Sequence, residues 1–194
     1  MEEMKDYKET YISVDIEAAG PIPGEYSMLS LGACVVGNTS KTFYVEIKPI
    51  NDNYIQEALD VCGLSLEELK EKGTEPKKAM EEFENWIRTQ AAPDSRAVFV
   101  SFGTFDWMFI QYYFHRFLGR SPIGINGVDM KSYYMGMADC DWKGTTKKRI
   151  RKANPQLTSQ RKHTHNALDD AIGQAELFDE MLKFNSEKNK TVLR

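Results

Sequence analysis

The strongest constraint on the fold of this chain is the order of its periodicities. Three strand-like runs come before any helical pattern, and strands alternate with helices afterwards. Residues 11–16, 28–36 and 41–47 carry the aliphatic, β-branched and aromatic side chains that suit a pleated surface. Gly37-Asn38-Thr39-Ser40 separates the second run from the third, and the two read as a hairpin across a tight turn. Residues 55–72 are helical in pattern with a break at Gly63, and Ser65-Leu66-Glu67-Glu68 has capping-box spacing. In residues 76–89, Ala79, Met80, Phe83, Trp86 and Ile87 recur on one helical face, with Pro76 in the first turn. A short apolar strand at 97–101 leads past Gly103 into a helix ending at Leu118. A further strand at 127–129 precedes a helix at 130–137, and residues 166–184 form the last helix, before a polar tail that frays. This order predicts a single α/β domain with a mixed sheet.

Length and composition narrow the class. The 194 residues suit one domain with a substantial core. No run of 18 apolar residues occurs, so no membrane-spanning helix is expected, and the acidic N-terminus lacks the apolar stretch of a secretory signal. Cys34, Cys62 and Cys140 are widely spaced and odd in number, which suits a reducing cytoplasm better than a disulfide scaffold or zinc ribbon. The net charge of −4 does not point to nucleic acid, but its distribution does. Residues 143–162 hold Lys143, Lys147, Lys148, Arg149, Arg151, Lys152, Arg161 and Lys162 and no acidic residue. The remainder, with 17 basic against 29 acidic residues, stands at −12. A loop-like basic segment on an acidic body suits polyanion docking; as a bare charge run it would be only a solvated loop.

The chemistry begins with Asp15 and Glu17, two residues apart in the first strand run. Side chains at i and i+2 of a strand share a face. Two carboxylates there repel one another and lose hydration, a cost that a multivalent cation removes. Asp106 follows the apolar strand at 97–101, where loops converge at strand ends. His165 precedes the last helix, with Asp169 and Asp170 one turn on. Helical geometry favours Asp169 as the partner of His165 if both are helical, and leaves Asp170 equally open if His165 precedes the helix. Carboxylates of this number suit two oxygen-ligated cations, and a histidine can take a proton from water.

These residues carry a resemblance. Asp15-Ile16-Glu17 matches a D-x-E motif, Phe105-Asp106 an F-D motif, and His165 through Ala171 an H-x-A-x-x-D-A motif, in order. The chain thus resembles the DEDDh 3′→5′ exonucleases of the ribonuclease H-like superfamily, over about residues 11–184. The resemblance implies a ribonuclease H-like mixed five-stranded sheet flanked by helices, forming one exonuclease domain over residues 1–194. It implies two divalent cations, Mg²⁺ or Mn²⁺, with Asp15 bridging both, Glu17 and Asp170 completing the first and Asp106 acting at the second. His165 would be the general base, leaving Asp169 as a helix-face residue. Ala18, Ala19 and Gly20 would hold the terminal nucleotide through backbone groups, and Met28 and Leu29 stand where relatives place apolar wedges against terminal bases. Phe102 and Trp107 offer stacking faces, Phe105 reads more as core, and Arg149, Arg151 and Lys152 would track the upstream backbone.

The implied activity is metal-dependent release of nucleoside 5′-monophosphates from a nucleic acid with a free 3′ end, RNA or DNA, single-stranded. Resemblance to ribonuclease T-like members also brings a homodimer into view. Two other readings share the same residues: a non-catalytic nucleic-acid-binding adaptor on this fold, and a hydrolase of small phosphodiesters or dinucleotides. The second motif has Ser101-Phe102-Gly103-Thr104 in place of the usual H-N-A-x before F-D. The first reads D-I-E-A-A-G for D-x-E-T-T-G, which removes side-chain hydroxyls from the substrate end.

Overall fold

The computed structural model describes residues 8–91, 95–157 and 164–192, with backbone alone for 188–192. Arg161 and Lys162, named above, and the acidic N-terminal residues 1–6 lie outside the described residues. The strands are β1 (Lys8–Ala18), β2 (Met28–Val35), β3 (Asn38–Glu46), β4 (Ser95–Ser101) and β5 (Val128–Asp129). They form one five-stranded sheet in the order β3-β2-β1-β4-β5. β1 is antiparallel to β2, and β2 to β3, whereas β4 runs parallel to both β1 and β5. This is the mixed sheet expected from the sequence.

The helices are α1 (Gln56–Cys62), α2 (Leu66–Lys72), α3 (Pro76–Gln90), α4 (Phe105–Leu118), α5 (Met130–Ala138), α6 (Lys147–Ala153) and α7 (Ala167–Val192). The break at 63 is real: Gly63 closes α1 with φ 67°, and the Ser65 hydroxyl accepts from the Glu68 N–H at 3.3 Å to open α2. Three expectations need correction. The hairpin turn shrinks to Val36-Gly37, with Gly37 at φ +77°, so Asn38, Thr39 and Ser40 already belong to β3. The basic segment is not all loop: Trp142–Thr145 forms a 3-10 turn and α6 follows, capped by the Thr146 hydroxyl and anchored by fully buried Ile150. A hydroxyl cap and one buried apolar side chain thus hold a helix that carries almost no periodic signal. Lastly, α7 runs beyond residue 184 to Val192.

Alternation along β1 divides the core. Ile12, Val14 and Ile16 face α3 and α4, packing with Phe83, Phe109, Tyr113 and Phe114. Ser13, Asp15 and Glu17 project from the other face, which α7 covers. There Cys34 of β2 meets Ile172 and Ala175, and Phe178 extends the contact toward Met130 and Tyr134 of α5. Gly32, paired with Asp15, lets α7 come this close. A Cβ at Gly32 would lie 2.3 Å from the backbone of Ala167 and Leu168.

Candidate active site

The pairing of β1 with β4 ends at Ser13 and Val100, while β1 continues to Ala18. The parallel strands part there, which opens a crevice at their carboxyl ends. Asp106, in the first turn of α4, enters this opening. Its Oδ1 accepts from the Ile16 N–H at 3.1 Å, a donor that β4 does not use. Asp106 is buried at 7% exposure, beside Asp15 and Glu17 on the partly exposed edge of β1.

The last motif arrives from above the sheet. Asn166 caps α7: its Oδ1 accepts from the Leu168 and Asp169 N–H groups at 3.1 and 3.2 Å. His165 therefore lies outside the helix, in the left-handed region at φ 55°, uncommon for residues other than glycine though more accessible to histidine than to most. Asp170 holds that loop in place, Oδ1 accepting from the Thr164 N–H at 3.3 Å and Oδ2 from the His165 N–H at 3.1 Å. Asp170 is buried while the His165 side chain is exposed. One ligand atom from each of Glu17, His165 and Asp170 can be chosen so that all three lie within 4.8 Å of one another. Asp169 instead accepts from the Thr164 hydroxyl at 3.3 Å, which gives it a structural partner at the helix start.

Electrostatics report the crowding. Burial pushes the Asp15 carboxyl well above the ordinary range, and repulsion from Asp106, Glu17 and Asp170 adds to it. Glu17 is pushed up to about 8 by burial, then by Asp170 and Asp106. Burial raises Asp106 to about 7, against the pull of its backbone hydrogen bonds and of Lys147. A site whose carboxylates are driven toward protonation by burial first, and at Asp15 and Glu17 by one another's charge as well, is one built for added positive charge.

The substrate-side residues fare unevenly. Met28 and Leu29 are both fully buried, Met28 in the main core and Leu29 against Ala19, Leu66 and Leu69. Neither is a surface wedge, because β2 is covered on both faces. The Ala19 N–H donates to Ser27 at 2.9 Å and its carbonyl accepts from Ile55 at 2.8 Å, so the N–H of Ala19 is already committed within the fold. Ala18 is also buried. Gly20 is required by packing, since a Cβ there would sit 2.4 Å from the Tyr26 ring. Phe105, by contrast, is 42% exposed and is not core, while Trp107 packs edge-on against Phe99. Phe102 is half-buried, with the Lys147 ammonium 5.1 Å from its ring centroid. Arg149, Arg151 and Lys152 are exposed on α6.

Three residues at the site escaped the sequence reading. Gly32 had a signal, since glycine inside an apolar strand marks a close approach. Lys147 was one cation among eight, with nothing to distinguish it. Gln174 donates to Asp15 Oδ1 from Nε2, yet a lone helical glutamine carries no chemical mark.

The mixed sheet, its switch point and the acidic cluster there define a ribonuclease H-like nuclease fold. Solved structures agree on the fold. The nuclease domain of 3′hExo, a DEDDh family member bound to rAMP, superposes with a TM-score of 0.75 at 11% identity, covering 92% of this chain and 94% of that one. Escherichia coli exonuclease I in complex with a dT13 oligonucleotide gives 0.70 at 15% identity, covering 96% of this chain and 43% of the other. Residues 10–182 match the family described as the 3′-5′ exoribonuclease Rv2179c-like domain, and the chain belongs to that family. It is 45% identical over 187 residues to the 3′-5′ DNA exonuclease Cap18 of Escherichia coli, spanning 95% of this chain and 98% of that protein. The chain is thus a 3′-5′ exonuclease.

Proposed function

We propose that this exonuclease hydrolyses the terminal phosphodiester at the 3′ end of single-stranded DNA, releasing nucleoside 5′-monophosphates with the help of two divalent cations, Mg²⁺ or Mn²⁺. The observation that carries this reading is the convergence of Asp15, Glu17, Asp106 and Asp170, from a strand and two helices, into one mutually repelling cluster. The donor set fits hard cations, being all carboxylate oxygen. Asp15, Glu17 and Asp170 would hold one cation, and Asp15 with Asp106 the other. Bound there, the cations would supply charge neutralisation at the phosphate and acidify water.

The protein's own groups do the rest. His165 is exposed at the mouth of the cluster and takes the proton from the attacking water, its reach set by the loop that Asp170 pins. Lys147, beside the Phe102 ring, meets the phosphate that enters the crevice, and Phe105 presents a ring face to a splayed base. Arg149, Arg151 and Lys152 line the approach of the upstream backbone. The relative named as a DNA exonuclease, matching nearly the whole chain, weighs toward DNA over RNA. Three cysteines outside any disulfide suit a cytoplasmic setting. A binding module without chemistry gains nothing from buried carboxylates that would repel phosphate, which disfavours the adaptor reading.

The test is digestion of matched 5′-labelled DNA and RNA oligonucleotides, single- and double-stranded, with Mg²⁺, with Mn²⁺ and with chelator. Nucleotide-by-nucleotide shortening of single-stranded DNA, abolished by chelator, is expected. His165→Ala should slow it by roughly 10²–10⁴-fold. Shortening that persists in chelator would overturn the metal reading, and faster loss of RNA would overturn the choice of DNA.

A further inference from the structure

Gln174 is 2% exposed, on the face of α7 that looks down on β1, one helical turn beyond Asp170. Both halves of its amide are engaged. Oε1 accepts from the backbone N–H of Phe102 at 2.9 Å, and Nε2 donates to Asp15 Oδ1. The direction of the amide is set by chemistry, because a backbone N–H can only donate. Oε1 must face Phe102, so the amino group must face Asp15. The opposite orientation would set two donors against each other and an oxygen against a carboxylate.

We propose that Gln174 is a positioning residue for Asp15: it fixes the rotation of that carboxylate and ties it to the end of β4. This rests on the reading of Asp15 as the shared metal ligand. The terminal torsion of an aspartate is broad and would otherwise leave the two oxygens to wander. A hydrogen bond to Oδ1 selects one orientation and leaves the second oxygen and the remaining lone pair of the first for cations. The neutrality of the donor matters as well. A lysine in this place would cancel the charge that the cations need, whereas an amide orients the carboxylate and leaves its charge intact. Because Phe102 satisfies the other half of the amide, burying it carries no unpaired polar atom. The strap also joins Asp15 to the residue whose ring lies beside Lys147, so one side chain couples the acidic cluster to the start of the basic helix.

Two substitutions separate this role from simple packing. Gln174→Met keeps the volume and loses both hydrogen bonds. Gln174→Glu keeps an acceptor for the Phe102 N–H but replaces the donor to Asp15 by a second carboxylate. Both are compared with the unaltered protein and Asp15→Ala by steady-state kinetics on a labelled DNA oligonucleotide, and by calorimetric Mn²⁺ titration without nucleic acid. Gln174→Met should lose roughly ten- to a hundredfold in kcat and in Mn²⁺ affinity, the usual cost of removing a partner of a metal ligand, with KM unchanged. Gln174→Glu should lose more than Gln174→Met, since only it places like charge against Asp15. If Gln174→Met does not fold, Gln174→Glu decides alone. Normal kcat and Mn²⁺ affinity in Gln174→Glu, kept at alkaline pH where the introduced carboxyl has lost the proton it could share with Asp15, would show that the tie to Phe102 is what matters and would overturn the proposal. So would a loss confined to KM. Full activity in Asp15→Ala would instead refute the metal reading of Asp15, whatever Gln174 does.

Discussion

The two faces of β1 make opposite uses of one strand. Toward α3 and α4 it presents Ile12, Val14 and Ile16 to a layer of aromatic rings, including Phe83 stacked on Phe114 at 5.7 Å. Toward α7 it presents Ser13, Asp15 and Glu17, and the covering helix approaches through Gly32, Ala167, Ala171 and Ala175. The first face stabilises the fold through area removed from water. The second holds carboxylates at positions where they destabilise one another, and small residues replace bulk so that α7 can bring Asp170 within reach. Stability and chemistry are thus separated by a single residue step along one strand.

That separation can be broken from either side. The largest effect is expected from Asp15→Asn, which should reduce nucleotide release to background while raising the melting temperature of the metal-free protein, because it removes a charge from the crowded cluster. An oligonucleotide assay together with thermal unfolding checks both, and a fall in melting temperature would mean that the cluster is not under strain. Next comes Gly32→Ala. Its methyl group collides with the start of α7 and displaces His165 and Asp170 from Asp15, so activity should fall on the order of 10²-fold, as for an ångström-scale misplacement. A crystal structure of the variant would show the shift.

On the opposite face, Phe114→Ala should cost about 3–5 kcal/mol by denaturant unfolding, yet leave kcat per folded molecule unchanged. A lower kcat would mean that the aromatic layer also sets the site. The smallest effect concerns pH. Glu17 and Asp106 titrate near 8 and 7 in the folded protein, above their ordinary carboxylate values. The folded state therefore binds protons that the unfolded state has released, and metal-free stability falls as pH rises from about 4 toward 7–8. Above that window the loss levels off. Mg²⁺ or Mn²⁺ should then raise the melting temperature more at pH 8 than at pH 5.5, by a few degrees, about the shift expected from 1 kcal/mol in a chain of this size. Equal shifts at both pH values would place the cations elsewhere.

Much of this was legible in the residues. The alternation of Ile12 through Glu17 places Asp15 and Glu17 on one face of a strand with no tertiary information, because side-chain direction follows from the pleat. The break at Gly63 and the cap at Ser65 were equally local, each being decided within one helical turn. Residue chemistry also assembled Asp15, Glu17, Asp106 and one of the pair Asp169 and Asp170, whereas the choice of Asp170 over Asp169 rested on the family motif. In the structure Asn166 starts the helix, His165 falls outside it, and Asp170 turns inward onto the loop while Asp169 meets the Thr164 hydroxyl.

Other features were beyond the reach of local patterning. Met28 and Leu29 begin a strand whose two faces are both covered, and coverage is a property of neighbouring elements. The helical fold of α6 depends on Ile150 finding a buried seat against the rest of the molecule. The bond from Gln174 to Asp15 joins residues 159 positions apart and exists only because α7 lies across β1. The sequence by itself determined Asp15, Glu17 and Asp106 as acidic groups of the site and the strand face that carries two of them, since these follow from residue type and backbone period. Tertiary structure alone decided how closely they meet and which neutral side chain orients them, since those distances are set by how near one helix can approach one glycine.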